Sequence, residues 1–545
     1  MRNTTSWAGR SGRLLACGGL IAALSACDDV LEVELPHLLT DAAIADPATA
    51  ELQVNSGIAL FECGYSSFGQ IAGGFEDMWD PQAGNFRLYA LYNESPTSGN
   101  CDATDLNISF FDQFAGARAL LSNDPDLMTP SGKSVTAVGS AQGVYDRLQG
   151  EWDLGTDGER LSAIGAIYVA ASLAVMGEFF CEAAIDGSDL MTPPEVLDVA
   201  DQWVDRALTH IGAYGDFAMP FDIAPSATDM ANALRARILW GSQDLAGANA
   251  AATAVLIADP EFVAWVTRDT GPTRRNKIHL TGTVQRWSSL LGAITHWNPS
   301  FFDPNPATGQ AWTSPLPFTG WLFLGVEPDG RTLGAGNVPV RWAEEFRDLG
   351  DPPTPIAGSN AVPDPRVTHF KSTVAGPEPG EVPDTYAGED EDIPYITWQE
   401  LRLIRADYEL HEQGNLQGAI DEVNAIRAFY GLPLISGANE ATLLGDADAV
   451  RAMLLEERRR EFFNEGGRFW STKIQNTDML WFPRLQGNSR LQGYQLEGGV
   501  RLFWDVAEYE QNDYFGARGG NAARGSGCVG LGSLGGNPGD QVPIE

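Results

Sequence analysis

Apolar residues recur at helical spacing over much of the chain. From Arg160, Leu161, Ile164, Tyr168, Ala171 and Val175 recur on one face of an expected helix that ends at Gly177, and a second periodic run covers Val196 to Ile211. Together they predict a helical hairpin. Two further pairs are predicted, one over Asp229–Ser242 and Gly247–Ala258, the other over Trp398–Gln413 and Leu416–Phe429. With an offset of 171 residues, Asp244-Leu245-Ala246-Gly247-Ala248 matches Asn415-Leu416-Gln417-Gly418-Ala419, each a short turn entering a helix of small residues.

Between the pairs the pattern breaks down. Residues 266–395 carry most of the Pro, in motifs such as Asn298-Pro299, Asp303-Pro304-Asn305-Pro306 and Asp351-Pro352-Pro353, so no helix is expected to persist there. A loop-rich insertion of that length points to a binding role, since loops on a rigid scaffold commonly carry function. Residues 61–155, rich in Gly, Ser and Asn, read as loops laid over helices. Residues 28–60 read as a stalk leading into a helix with Thr40 or Asp41 as its N-cap. After Ser471 come short apolar runs, Leu480–Phe482 and Val500–Val506, and a Gly-rich tail.

The N-terminus has its own logic. Arg2, Arg10 and Arg13 precede an apolar run, Leu14–Leu24, whose eleven residues are too few to cross a hydrocarbon core about 30 Å thick. This is the pattern of a signal peptide. Leu24-Ser25-Ala26-Cys27 resembles a bacterial lipobox, so residues 1–26 are expected to be removed and Cys27 to be lipidated, tethering the body to a membrane.

Charge excludes one class of partner. Against 35 Lys and Arg stand 73 Asp and Glu, a net charge of −38, and phosphate backbones would be repelled. No nucleic acid is expected. The cysteines of the body, Cys63, Cys101, Cys181 and Cys528, allow two disulfides in an exported chain; three pairings are open, and Cys63 with Cys101 closes the smallest loop. No CxxC occurs and the six His are scattered, so neither a metal nor a cofactor is expected.

Enzyme signatures are weak. Gly530-Leu531-Gly532-Ser533-Leu534-Gly535 spells a dinucleotide fingerprint but has no room for a βαβ unit after it. His411-Glu412 lacks the second His of a zinc protease, and there is no nucleophile elbow. Glu389-Asp390-Glu391-Asp392 has the oxygens for calcium but also the composition of a solvated acidic loop. A glycosidase pair of carboxylates is compatible with so acidic a chain, which keeps a glycan hydrolase as the enzymatic alternative. The block Val450–Glu465 places Val450, Met453, Leu454 and Phe462 on one face and intersperses Glu457, Glu461 and Glu465 with three Arg, read as a structural ion network on a helix that ends at Gly466.

Several of these residues carry a family resemblance. Leu401-Arg402-Leu403-Ile404-Arg405-Ala406-Asp407-Tyr408, Gly414-Asn415-Leu416, Ala419, Asn424, Ile426-Arg427 and Gly431-Leu432-Pro433 resemble the SusD/RagB family of outer-membrane nutrient-binding lipoproteins. Glu456-Glu457-Arg458-Arg459-Arg460-Glu461-Phe462 and Glu465-Gly466-Gly467-Arg468-Phe469-Trp470 resemble its C-terminal signature, with Ser471 where relatives often carry Asp. The resemblance implies a mainly α fold, a helical body of tetratricopeptide-like pairs covered by an irregular, loop-rich ligand-binding part. It implies a single domain from residue 27 to 545, with an N-terminal helical part to 265, the insertion at 266–395, the signature at 396–470 and an irregular end at 471–545. It implies a non-catalytic binder of a glycan or, alternatively, a peptide, working with a TonB-dependent SusC-like transporter barrel at the cell outer membrane.

Sugars stack their C–H faces on aromatic rings beside amides and carboxylates. Two loop segments combine such side chains. Trp79, Asp80, Asn85, Arg87, Tyr89 and Tyr92 form one, and Trp297, Asn298, Trp312 and Trp321 the other. They are the expected ligand contacts.

Overall fold

A computed structural model describes residues 44–76, 80–81, 110–122, 143–183, 191–271, 274–279, 288–289, 321–323, 361–363, 365–366, 369–371, 381–383, 385–476 and 501. The chain divides into two compact units, residues 1–49 and 50–545. Of the first, residues 44–49 are described and include a helical turn at Pro47–Thr49, where Asp46 Oδ1 accepts from the Ala48 amide at 2.9 Å.

The second unit is mainly helical. Among the described residues its helices are α1 (Ala50–Phe75), α2 (Phe110–Leu121), α3 (Val144–Gly150), α4 (Thr156–Phe179), α5 (Pro193–Tyr214), α6 (Ala227–Gly241), α7 (Leu245–Ala258), α8 (Trp398–His411), α9 (Leu416–Phe429), α10 (Gly437–Leu443), α11 (Ala447–Glu461) and α12 (Arg468–Gln475). At its centre lies α4, buried without interruption from Leu161 to Phe179. It is long and apolar enough to cross a membrane, yet its apolar stretch is wholly enclosed by protein, which makes it a core helix. Neighbours α1, α2, α3, α5 and α6 pack around it.

The predicted hairpins are present and repeat closely. Helices α6 and α7 pack as one pair, α8 and α9 as the other, and α7 lies against α8. Ser226 Oγ caps α6 by accepting from the Asp229 amide at 3.0 Å, and Thr397 Oγ1 caps α8 by accepting from the Glu400 amide at 3.2 Å. Asp244 Oδ1 accepts from the Gly247 amide at 3.0 Å at the start of α7, and Asn415 Oδ1 from the Gly418 amide at 3.1 Å at the start of α9. Both caps recur at the same offset of 171 residues. Each side-chain oxygen satisfies an amide the helix cannot satisfy itself, so the caps fix where the chain turns into each helix. These are tetratricopeptide-like pairs.

Three helical readings require correction. Residues 61–75 continue α1 and residues 110–121 form α2, where loops were expected. Gly69, one of the glycines behind that reading, marks a close approach, since a Cβ there would lie 2.6 Å from Ile278 Cδ1; earlier in α1, a Cβ on Gly57 would likewise lie 2.6 Å from Leu121 Cγ. Gly177 likewise sits within α4 instead of ending it, because a Cβ there would meet Leu197 Cγ of α5 at 2.7 Å. Finally, α11 stops at Glu461, and the chain then turns through Asn464, Gly466 and Gly467 at φ 62°, 69° and 93°. The N-cap expected at Thr40 or Asp41 lies outside the described residues.

The insertion is tied at its base. The strand Val263–Val266 pairs antiparallel with Ile393–Thr397, so the ends of the 266–395 segment are brought together beside the N-cap of α8. Short strands also occur within it: Trp321–Phe323 pairs with Ala361–Pro363, and His369–Lys371 with Glu381–Pro383. Ser288–Ser289 pairs with Asp80–Pro81. The expectation of a wholly irregular insertion is corrected to that extent. Proline is tolerated there because a two-stranded ladder leaves every strand at an edge.

Candidate functional site

The charged residues of the signature are gathered into a buried lattice. Glu400, on the first turn of α8, receives Arg237 Nε at 2.9 Å and Nη2 at 2.5 Å from α6, and Arg468 Nη2 at 2.8 Å from α12. Arg468 Nη1 also donates to Glu178 Oε2 at 2.8 Å, at the end of α4. One carboxylate and two guanidiniums thereby join three helices, and a second carboxylate adds the core helix. Arg237 also donates to the Tyr395 carbonyl and lies 4.6 Å from the centre of the Tyr395 ring. Burial works against ionisation of Glu400, but the facing Arg237 and Arg468 outweigh it and hold its carboxyl below the ordinary range.

Two similar nodes surround it. Glu457 of α11 receives Arg427 Nε of α9 at 2.7 Å and Arg366 Nη1 at 2.7 Å. Its carboxyl too is held low by those cations against the effect of burial. Asp407 Oδ2 receives Trp240 Nε1 at 2.6 Å and Arg458 Nη2 at 2.6 Å, while the Arg458 guanidinium lies 4.7 Å from the Trp240 ring centre. Within α11, Glu456 takes Arg459 and Arg460 at i,i+3 and i,i+4. The expected ion network therefore exists, but Glu457 and Arg458 find their partners on other elements.

Three further carboxyls shift the other way. Glu62 accepts from the Thr267 amide at 2.9 Å and meets Arg268 and Arg274 only at 3.4 Å. With ion contacts that long, burial wins: it pushes Glu62 up and lowers Arg268 to about 10. Glu76, just beyond α1, accepts from the Trp470 amide at 3.0 Å in the first turn of α12, and burial raises its carboxyl to about 7. Glu465 is driven well above the ordinary range by burial and by the neighbouring Glu461, Glu400 and Glu76.

Three of the four carboxylates of the acidic loop at 389–392 are committed to protein partners. Asp392 Oδ1 accepts from the Arg268 amide at 2.5 Å, Glu391 from the Ala387 amide, and Glu389 meets Arg275 at 3.5 Å. Among the described residues there is no group of three His, Cys, Asp or Glu placed to hold a metal.

Chemically the lattice fixes charge and excludes water, which suits a lock between helices. Glu178, Glu62, Glu76 and Arg237 were not singled out from the sequence. The available signal was a lone charge in an apolar stretch, as Glu62 is between Phe61 and Cys63, but their partners lie 163 to 394 positions away.

Of the expected ligand contacts, Trp79, Asn85, Arg87, Tyr89, Tyr92, Trp297, Asn298 and Trp312 lie outside the described residues. Asp80 and Trp321 are described as backbone alone, Asp80 opposite Ser289 and Trp321 opposite Pro363. Cys63 and Cys181 are both disulfide-bonded, whereas Cys27, Cys101 and Cys528 lie outside the described residues.

No family model and no curated protein matches the chain. Among solved structures it is similar to a SusD superfamily protein from Bacteroides vulgatus ATCC 8482, with 12% identity and a TM-score of 0.48 over 86% of this chain and 97% of that one. It is likewise similar to a SusD superfamily protein from Bacteroides thetaiotaomicron VPI-5482, with 13% identity and a TM-score of 0.48 over 86% and 98%. A SusD-like carbohydrate binding protein from Bacteroides vulgatus ATCC 8482 gives 12% identity and a TM-score of 0.45 over 79% and 83%. Structure neighbours at high probability thus include many SusD superfamily proteins, at low identity.

Proposed function

We propose that the protein is a lipid-anchored nutrient-binding protein of the bacterial outer membrane that captures a glycan oligomer and passes it to a TonB-dependent, SusC-like transporter barrel. The observation that carries this reading is the use made of the signature charges. Arg427, Glu457, Arg458 and Arg468 are buried and bonded across helices, so the residues that resemble the SusD/RagB family build a scaffold. A catalytic pair needs carboxyls in different ionisation states that substrate can reach. Glu400 and Glu457 are instead enclosed by guanidiniums. Ligand recognition is left to other segments, of which the insertion at 266–395, whose ends are paired as strands, is the longest.

The signal-peptide pattern and Leu24-Ser25-Ala26-Cys27 support export and anchoring. The aromatic and amide-rich loops around Trp79 and Trp297 support a sugar over an anionic ligand, as does the net charge of −38. Screening the mature chain on immobilised glycans and peptides tests the reading. Retention of a glycan supports it; retention of peptides alone transfers the same binding role to a different ligand, and retention of neither contradicts it. The partner is tested by co-purification from mild detergents, which should recover a large outer-membrane barrel with the lipoprotein.

A further inference from the structure

The connection between α5 and α6 holds an arrangement that folding does not explain. Its base is tightly built. The Ala227 amide donates to the Phe217 carbonyl at 2.7 Å, the Met219 amide to the Ala224 carbonyl at 2.9 Å, and the Trp265 amide of the Val263–Val266 strand to the Ile223 carbonyl at 2.8 Å. Asp216 Oδ1 accepts from the amide and hydroxyl of Thr228 at 2.9 and 2.8 Å, while Met219 and Ile223 are buried. Between these ties the tip turns through Phe221 and Asp222, consecutive residues in the left-handed region at φ 60° and 57°.

That backbone is costly for any residue with a Cβ, and Phe has no side-chain hydrogen bond to offset it. Strain of this kind survives only where the surroundings enforce it. Phe221 recovers little by packing, because the residue is 52% exposed. A second aromatic follows the same trend nearby in sequence: Tyr214 is 37% exposed and stands perpendicular to Phe217 at 5.4 Å. Glycine would serve the turn better, and almost any polar residue would serve the surface better. The chain carries an exposed aromatic ring there instead.

We propose that the tip of this loop is a contact site for a neutral sugar ring, with Phe221 supplying the stacking face and Asp222 accepting from ring hydroxyls. This rests on the glycan-binding reading and adds a site the Trp-rich loops do not include. A rigid base means that little further ordering accompanies binding. The carboxylates at 216 and 222 and the acidity of the whole chain select against anionic sugars.

The test compares the parent chain with Phe221→Gly and Phe221→Ala on neutral oligosaccharides of gluco-, xylo-, manno- and galacto- configuration, alongside thermal melting. Glycine relieves the left-handed backbone and alanine does not, but both remove the ring. The expected result is that both variants bind the oligosaccharide retained by the parent at least about fivefold more weakly, while Phe221→Gly melts at or above the parent temperature. Unchanged affinity in both variants overturns the site and leaves the glycan reading standing. A lower melting temperature for Phe221→Gly overturns it as well, because Phe221 would then be a packing residue. Failure of the parent to bind any of these oligosaccharides overturns this site together with the glycan reading.

Discussion

Arg237 and Glu400 lie 163 positions apart and are joined by two charge-assisted hydrogen bonds across the interface between the two repeated hairpins. Both side chains are essentially inaccessible to water. Removing one partner leaves the other charge buried, which typically costs about 3–5 kcal/mol. Glu400→Leu is therefore expected to destabilise the protein by that order in urea unfolding. Combining it with Arg237→Met is expected to cost less than the two single changes added together, because the pair is lost only once. Strict additivity would contradict a direct coupling.

The close approach of α4 and α5 gives a contrast within one helix. Gly177→Ala would place a methyl 2.7 Å from Leu197 Cγ and 3.2 Å from the Leu197 amide nitrogen, whereas Gly158→Ala meets nothing nearer than Leu154 Cβ at 3.6 Å. Overpacking is expected to cost Gly177→Ala about 1–3 kcal/mol despite the better helix propensity of alanine. Gly158→Ala is expected to be neutral or stabilising by up to about 1 kcal/mol. Thermal melting of the two variants checks the pair.

Glu76 links stability to pH. Its carboxyl is raised from 4.5 to about 7 in the folded state, so the native protein holds a proton that the unfolded chain has released. Stability from this group is fully present below about pH 4.5 and is lost as pH rises through about 7. Glu76→Gln, which cannot ionise, is expected to gain on the parent between about pH 4.5 and pH 7 and to level off above that, by about 3 kcal/mol at most, in parallel denaturant titrations. A difference that stays constant with pH would contradict it. Below about pH 4.5 the opposite sign is expected from Glu400 and Glu457, whose lowered carboxyls make stability fall as they are protonated.

Anchoring is tested by Cys27→Ala. Each acyl CH₂ buried in a bilayer contributes about 0.8 kcal/mol, so loss of the lipid should move the protein from the membrane fraction to the soluble one. An unchanged membrane fraction would sink the lipobox assignment. Protease shaving of intact cells then reports which side of the outer membrane the body occupies.

The hairpins were legible because two signals agreed: apolar residues at helical spacing, and Asp244 and Asn415 at the same place in each turn. The bounds Leu416–Phe429 follow from those two signals alone. Residues 61–75 of α1 do not read as helix because glycine has two uses that composition does not separate, left-handed turns and close helix contacts, and Gly69 belongs to the second. The strand pair at the base of the insertion was missed because four or five residues carry too little periodicity, and their partners are more than a hundred positions apart. The charges of α11 were read as a network, but bonds such as Arg427 to Glu457 or Arg468 to Glu178 depend on tertiary approach and leave no local pattern. The left-handed Phe221 has no local sequence signal either, since nothing in Met219-Pro220-Phe221-Asp222 requires that backbone.

The central claim is that this scaffold binds a glycan without cleaving it. The most direct measurement is calorimetric titration of the mature chain with the oligosaccharide best retained in the array screen, followed by chain-length analysis of the same sample after prolonged incubation. The account predicts saturable binding with an unchanged length distribution. Shortened products, or no heat of binding to any glycan, would contradict it.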